Sequence, residues 1–555
     1  MQPTDPKTRS SSPLEGGVRR SLAPAVRMGL LGGGVALLLC LIGIVQTSIG
    51  RAVIYPFLSL GQTLLLLTFA LTSAMAVRRT MPASTDKSSP VLVIASGALS
   101  GLLVSAFLAA LVLIGNWINL RGVFIQASPD LYKLLTFSLP LFPGIIALLG
   151  FGLGLGILVG AIYLLPGRLR KALVLGLGLI PLVAIVVSAF FAQRGLSAVA
   201  ALIVLVIGAV GSYTWSSIQG SVKQRIAGLP PTGQRVYKMG VWGVAALVVL
   251  LLPLTGKYPA QVLDLVGLYI LMGLGLNIVV GFAGLLDLGY VAFFALGAYT
   301  MAVLTSPEIG WLGFHLTFWQ ALPFTVLVST LAGIILGVPV LGMRGDYLAI
   351  VTLGFGEIIR LLVSSDWLKP YIGGSNGITR IPKPAIGPLV LDTPGRLYFL
   401  IILGCLVVAF VAIRVKDSRL GRAWMALRED EDVAQAMGID LVRTKLLAFA
   451  SGAAFSGLAG AIFATMLTST YPKSFELLVS INILSVIIVG GIGSIPGVVA
   501  GALALVGLPE LLREFSSYRL WVFGAALVFM MLTRPEGLIP EARRKLELHE
   551  SEGGE

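Results

Sequence analysis

The chain has 555 residues, and only 12% of them are Asp, Glu, Lys or Arg, about half the share found in water-soluble domains. With 56% hydrophobic residues and a mean hydropathy of +0.94, a soluble fold is excluded, and apolar spans joined by short polar loops are predicted. The net charge of +14 does not point to nucleic acid, because the basic residues sit in loops between apolar runs and form no continuous basic face.

Cys40 and Cys405 lie in separate apolar runs, and His315 and His549 are equally isolated, so neither a metal site nor a disulfide framework is expected. Residues 1–27 form a polar, cytoplasmic tail. The apolar run behind it is longer than a signal-peptide core and lacks a small-residue cleavage site, so Met28 to Ile49 reads as a retained helix. Six spans are predicted in an N-terminal extension over residues 28–218, at about 28–49, 52–77, 90–115, 134–165, 170–192 and 196–215. Basic loops follow the second, fourth and sixth spans (Arg78, Arg79 and Lys87; Arg168, Arg170 and Lys171; Lys223, Arg225, Arg235 and Lys238), and the alternate loops hold few. The positive-inside rule therefore puts the N-terminus in the cytoplasm and returns the chain there after six crossings.

Residues 219–235, with Gly228, Pro230, Pro231 and Gly233, read as a cytoplasmic linker. The core is placed at 236–540, with spans at about 239–256, 260–281, 283–304, 316–341, 346–364 and 397–415. That parity leaves Asp366 to Arg396 outside and a basic loop at 417–445 inside, after which a span at 446–468 exits. A last span at about 518–533 has to bring Arg534, Arg543, Arg544, Lys545 and a tail at 541–555 into the cytoplasm, so the stretch 479–512 must start and finish on the outer side. Its run Gly490-Gly491-Ile492-Gly493-Ser494-Ile495-Pro496-Gly497 is a natural place for a helix to break and turn back within the membrane. The predicted fold class is thus an all-α polytopic membrane protein, a six-helix extension followed by a core with discontinuous helices. Glycines four apart, at Gly152, Gly156 and Gly160 and at Gly493, Gly497 and Gly501, predict closely packed helices.

The loop at 417–445 holds Arg428-Glu429-Asp430-Glu431-Asp432-Val433-Ala434-Gln435-Ala436-Met437-Gly438. Its acids are placed to cap a short helix, whose N-terminus favours negative charge, and Gly438 is suited to end it. Val433, Ala434 and Met437 are expected to share a face that fits a partner's groove. On spacing alone, a solvated loop is the alternative.

Several ordered runs carry a resemblance. They are Leu274-Gly275-Leu276-Asn277-Ile278-Val279-Val280-Gly281-Phe282-Ala283-Gly284-Leu285-Leu286-Asp287-Leu288-Gly289, then Ala292 to Tyr299, Arg344 to Arg360, Gly373-Gly374-Ser375-Asn376-Gly377-Ile378, the loop at 417–440 and the glycines from Gly490. From about Val236 to Lys545 the chain resembles the inner-membrane permeases of branched-chain amino acid ABC importers, in their LivM branch. The resemblance implies an ABC-importer permease core with a second permease subunit as its heterodimer partner. A periplasmic or extracellular binding protein then delivers solute to the outer face, and paired ABC ATPase subunits dock beneath. ATP-driven closure pushes on the short helix, which makes Arg428, Glu429, Asp430, Glu431, Ala434 and Gly438 the ATPase-coupling residues. The lever drives alternating access and asks no covalent chemistry of this chain. There is no G-x-x-x-x-G-K-[S/T] phosphate loop, since Gly256-Lys257 is followed by Tyr258, so no cofactor is expected on this chain and ATP is left to a separate polypeptide. The implied location is the bacterial inner membrane, amid lipid, with both termini cytoplasmic.

Polar residues at membrane depth are candidates for the translocation path: Asn277, Asp287, Glu357 and Asn482. An ion pair with Arg360 is equally open to Glu357, and Asp287 is as well placed at a turn as at depth. Gly374, Ser375 and Asn376 are candidate contacts for the binding protein, or simply a turn. The first 235 residues carry no ligand motif and are expected to form a lipid-facing packing layer, with a regulatory or assembly role as the alternative. Two other functions stay open: an ABC permease for urea or short amides, and an ion-coupled secondary transporter using Glu357 and Asp287.

Overall fold

The computed structural model describes residues 13–50, 52–80, 90–124, 126–191, 195–227, 249–309, 315–340, 342–343, 345–511, 524, 528 and 536–540. The chain divides into two compact units, Met1–Lys238 and Met239–Glu555. Among the described residues, ten helices are long and apolar enough to cross a membrane, which makes this an all-α polytopic membrane protein.

The first unit contains α1 (Pro13–Ile42), α2 (Leu60–Thr80), α3 (Pro90–Trp117), α4 (Leu141–Leu164), α5 (Gly167–Phe191) and α6 (Ala198–Ala227). Two predicted spans need correction. The one expected from residue 52 begins as strand: β1 (Ala52–Tyr55) pairs antiparallel with β2 (Leu58–Ser59) and parallel with β3 (Leu196–Ser197). Branched Val53 and Ile54 followed by Pro56, which has no N–H to donate, favour strand and turn over helix. The span expected at 134–165 is broken, because Phe137 and Ser138 take positive φ and α4 starts only after Pro140. Gly152, Gly156 and Gly160 face α3, where a Cβ on Gly156 would strike the backbone of Gly97 and Ala98 and one on Gly160 that of Ile94. The close packing expected from their spacing is therefore present. Residues 219–227 of the expected linker are the end of α6, and 228–235 lie outside the described residues.

The second unit contains α7 (Lys257–Leu276), prolonged by a π turn (Asn277–Phe282), then α8 (Tyr290–Thr305), α9 (Phe318–Val340), α10 (Asp346–Ser364) and α11 (Pro394–Lys416). Between α10 and α11, β4 (Ala385–Ile386) and β5 (Leu389–Val390) form a small hairpin. The short helices α12 (Arg419–Glu429) and α13 (Glu431–Ala436) lead into α14 (Leu441–Leu467). Last come α15 (Leu477–Gly490) and α16 (Ile495–Ala502), the latter continued by a π turn (Leu503–Gly507) and Leu508–Leu511.

Helix α14 is central and packs on α7, α8 and α9. Lipid offers no hydrophobic gain for helix association, so close approach does the work: a Cβ on Gly297 of α8 would strike Gly457 of α14, and one on Gly460 would strike the Phe294 carbonyl. Phe294 also meets Phe463 and Phe475, with ring centroids 5.0 and 5.4 Å apart. The outward faces stay apolar, as with Leu327, Leu331, Ile335 and Val338 on α9, which is what lipid-facing helices require.

The segment 477–511 enters and leaves at one end of this unit. Its start follows Thr470, which pairs with Ile378, and its finish is held where the Tyr258 hydroxyl donates to the Glu510 carbonyl at 2.7 Å. Both anchors lie at the end opposite the α12–α13 loop, as the sequence requires for 479–512. Gly491 and Gly493, with φ of 121° and 82°, make the turn, and Ser494 caps α16 by accepting from the Gly497 amide at 3.1 Å. Gly497 and Gly501 pack against the backbone of α15 at Gly490 and Val486, whereas Gly493 belongs to the turn and not to the helix face. The last expected span, 518–533, and the tail at 541–555 lie outside the described residues, apart from Gly524 and Val528.

Candidate functional site

The loop helices are built by capping. Ser418 accepts from the Gly421 amide at 3.3 Å to start α12, and Asp430 accepts from the amides of Asp432 and Val433 at 2.8 and 3.0 Å to start α13. Gly438, with φ of 86°, follows the end of α13. Both short helices are fastened to α14. Trp424 of α12 is fully buried and donates its indole N–H to the Thr444 carbonyl at 2.8 Å. Glu431 of α13 takes the Lys445 ammonium on both oxygens, at 2.8 and 2.9 Å, with the Lys445 side chain only 2% exposed.

That fastening decides which way α13 faces. Val433 and Met437 are 59% and 80% exposed, but Ala434 is 3% exposed, so the three do not share one surface as expected. Ala434 lies three residues after Glu431 and therefore on the side turned toward α14, while Val433 and Met437, four apart, form the outward pair.

The loop is also tied to the breaks in the transmembrane helices. Arg428, at the end of α12, donates from Nη1 to the Gly281 carbonyl of the π turn at 2.9 Å and from Nη2 to Glu429 at 3.0 Å. A π turn spaces its carbonyls wider than an α-helix and leaves some without a helical partner. Gly284, with φ of 71°, lies so close to Arg428 that a Cβ would strike its stem. Asn277 opens the same turn, is buried, and accepts from the Gly493 amide at 2.9 Å. Beyond Gly493, the carbonyls of Val489 and Gly490 accept from the amides of Leu538 and Ile539 at 2.8 and 2.9 Å. A continuous bonded route thus runs from the end of α12 through Arg428, the π turn and Asn277 to the α15–α16 hairpin.

Asp287 is both at a turn and buried. It accepts from the Gly289 amide at 2.9 Å, beside the Leu288 amide that donates to the Thr352 hydroxyl at 3.0 Å, and so shapes the chain entering α8. The side chains of Asn277 and Asp287 are engaged by backbone, whereas Glu357 and Asn482 sit half-buried on α10 and α15. Glu357 is paired with Arg360, whose Nε donates to Oε2 at 2.9 Å and whose Nη2 reaches Oε1. At the end opposite α13, Gly374 is buried inside its turn, and Ser375 and Asn376 are exposed. Among the described residues no three His, Cys, Asp or Glu side chains converge as metal ligands would.

The same end offers a pH test. Glu308 accepts from the Thr379 hydroxyl and amide and faces Arg380 at 3.6 Å, which together hold its carboxyl below the ordinary value of 4.5. A depressed carboxyl contributes its pairing above the ordinary value and loses it as pH falls through the folded one. Hydrogen exchange should therefore show the Thr379 amide protected equally from neutral pH to 4.5 and losing protection below it. In Glu308→Gln that dependence should vanish; an unchanged profile would refute the assignment.

A family model described as the branched-chain amino acid transport system permease component matches residues 258–533. The LivM permease protein of the high-affinity branched-chain amino acid transport system of Salmonella typhimurium is 43% identical over 304 residues, 51% of this chain and 70% of that protein. The Escherichia coli LivM protein is 42% identical over the same coverage, and the E. coli LivH permease protein 25% identical over 297 residues, 50% of this chain and 93% of that protein. No solved structure matches the chain. The chain belongs to the branched-chain amino acid transport permease family.

The matched residues of this permease fall within its second unit; the first unit lies outside the match. Sequence reasoning missed three residues of the permease core. Lys445 counted only as a topogenic charge, because nothing in the spacing ties it to Glu431 across 14 residues. Trp424 carried no signal beyond its size. Asp264, buried in α7, did carry one: a single acid inside an apolar span, the argument that singled out Glu357.

Proposed function

We propose that this permease is the membrane subunit of an ATP-driven importer of branched-chain amino acids in a bacterial inner membrane. In this reading a second permease completes the pathway, a binding protein delivers solute at the Ser375 end, and ABC ATPase subunits dock on α13 from the cytoplasm, where both termini also lie. This chain supplies no ATP site. The N-terminal unit, with Leu202, Ile203, Val206, Ile207 and Val210 exposed on α6, is a lipid-facing packing layer.

The observation that carries the reading is the two-sidedness of α13. One side presents an apolar pair, Val433 and Met437, spaced four apart as a partner's groove takes a helix. The other side is joined to α14 by Glu431–Lys445, and Arg428, at the end of the preceding α12, bonds the π turn. A push on the apolar face moves a rigid piece whose attachments are the helix breaks, and breaks are where a bundle rearranges between two states. An ion-coupled carrier would use a membrane carboxylate as its proton or ion site; Glu357 is engaged by Arg360 and one oxygen of Asp287 by the turn into α8, and the response of uptake to a protonophore separates the two readings.

Val433→Glu with Met437→Glu is the experiment. The double variant should insert in the membrane as before and lose co-purification of the ATPase subunits; undiminished co-purification would contradict the docking face. Ala434→Arg, by contrast, should disturb the seat of α13 on α14.

A further inference from the structure

We propose that Glu357 and Arg360 form the station in the permease that holds the zwitterionic end of an amino acid solute, Glu357 taking the ammonium and Arg360 the carboxylate. The inference rests on the import reading above and adds to it a binding site within the membrane subunit. Helix α10 is apolar enough to cross a membrane, yet it carries this carboxylate and guanidinium three residues apart. Charges at such depth are costly and face a cavity or a partner. Here the side chains are 44% and 29% exposed, so this chain does not seal the pair, and its face is left to a cavity or a partner.

The chemistry fits one ligand class. A guanidinium fork binds a carboxylate through two parallel N–H donors, and Arg360 already does so with Glu357. An α-amino acid carries an ammonium and a carboxylate on one carbon. It can enter between the two side chains and exchange one ion pair for two, with no change in the net charge of the site, where Glu476 also faces Arg360. A neutral amide offers no such exchange. The rest of the face suits a branched apolar side chain: Ile350 and Leu361 are exposed on the Glu357 side of the helix, and beside Gly354, one turn before Glu357, there is open space. Asn482 stands half-buried on α15, which touches α10. The position is right as well. Arg360 is one turn from Ser364, whose carbonyl accepts from Ser375 in the loop opposite α13.

The test uses the complete complex in vesicles, with labelled leucine as the probe. Glu357→Gln, Arg360→Gln and the double variant should each lower ATP-driven uptake at least tenfold, with the double no better than the worse single. Gly354→Val touches nothing in the chain and should lower uptake as well by filling the space beside the pair. Co-purification of the second permease and the ATPase reports assembly. A double variant that transports like the unaltered complex would show a pair that merely neutralises itself and would overturn the proposal. So would full uptake by Gly354→Val, which decides the matter alone if the double variant does not assemble. Failure of the unaltered complex to take up leucine with ATP would instead remove the import reading.

Discussion

Lys445→Met is expected to loosen the junction of α13 and α14 by about 3–5 kcal/mol, the usual cost of leaving one member of a buried ion pair alone, and to abolish ATP-driven uptake. Lys445 is almost wholly enclosed and meets both oxygens of Glu431, so solvent does little to screen the loss. Without the ammonium, both Glu431 oxygens lose their bond to α14, and α13 loses that hold on its seat. Glu431→Leu combined with Lys445→Met removes both charges and should recover most of the thermal stability in detergent, since an apolar replacement of a buried pair is often neutral. If the single variant unfolds at the same temperature as the unaltered protein, the pair does not seat α13.

Asn277→Leu should separate ATP use from transport. The substitution keeps the bulk at the start of the π turn but removes the acceptor for the Gly493 amide, leaving a buried donor unsatisfied at about 1–3 kcal/mol. The hairpin then no longer follows the turn. Uptake per ATP hydrolysed should fall at least tenfold while ATPase subunits still co-purify. Asn277→Asp retains an acceptor at that position and should keep much of the ratio. Equal coupling in the leucine variant would break the route from Arg428 to Gly493.

The spans were readable because lipid permits so few solutions: apolar runs of sufficient length become helices, and basic loops set their direction. The break at Gly490 to Gly497 was readable from its cluster of glycines with Pro496, and in the structure Gly491 and Gly493 take positive φ there. Asp430 and Gly438 likewise marked the ends of α13. What the sequence hid depends on distant partners. Ala434 faces inward because Glu431 reaches Lys445, and no local pattern records that contact. The π turn at Asn277 to Phe282 follows an unbroken apolar run, and its carbonyl partner, Arg428, lies 147 residues away. Asn277 and Asp287 stood out as unusual polar residues, but only the fold reveals that the Asn277 side-chain carbonyl and one oxygen of Asp287 accept backbone amides.

The most direct measurement is uptake of labelled leucine into sealed vesicles holding this chain with its second permease and binding protein, with and without the ATPase subunits. The account expects accumulation against a gradient only when the ATPase and ATP are both present, undisturbed by a protonophore. Accumulation by vesicles lacking the ATPase, and collapsing with the proton gradient, would contradict it.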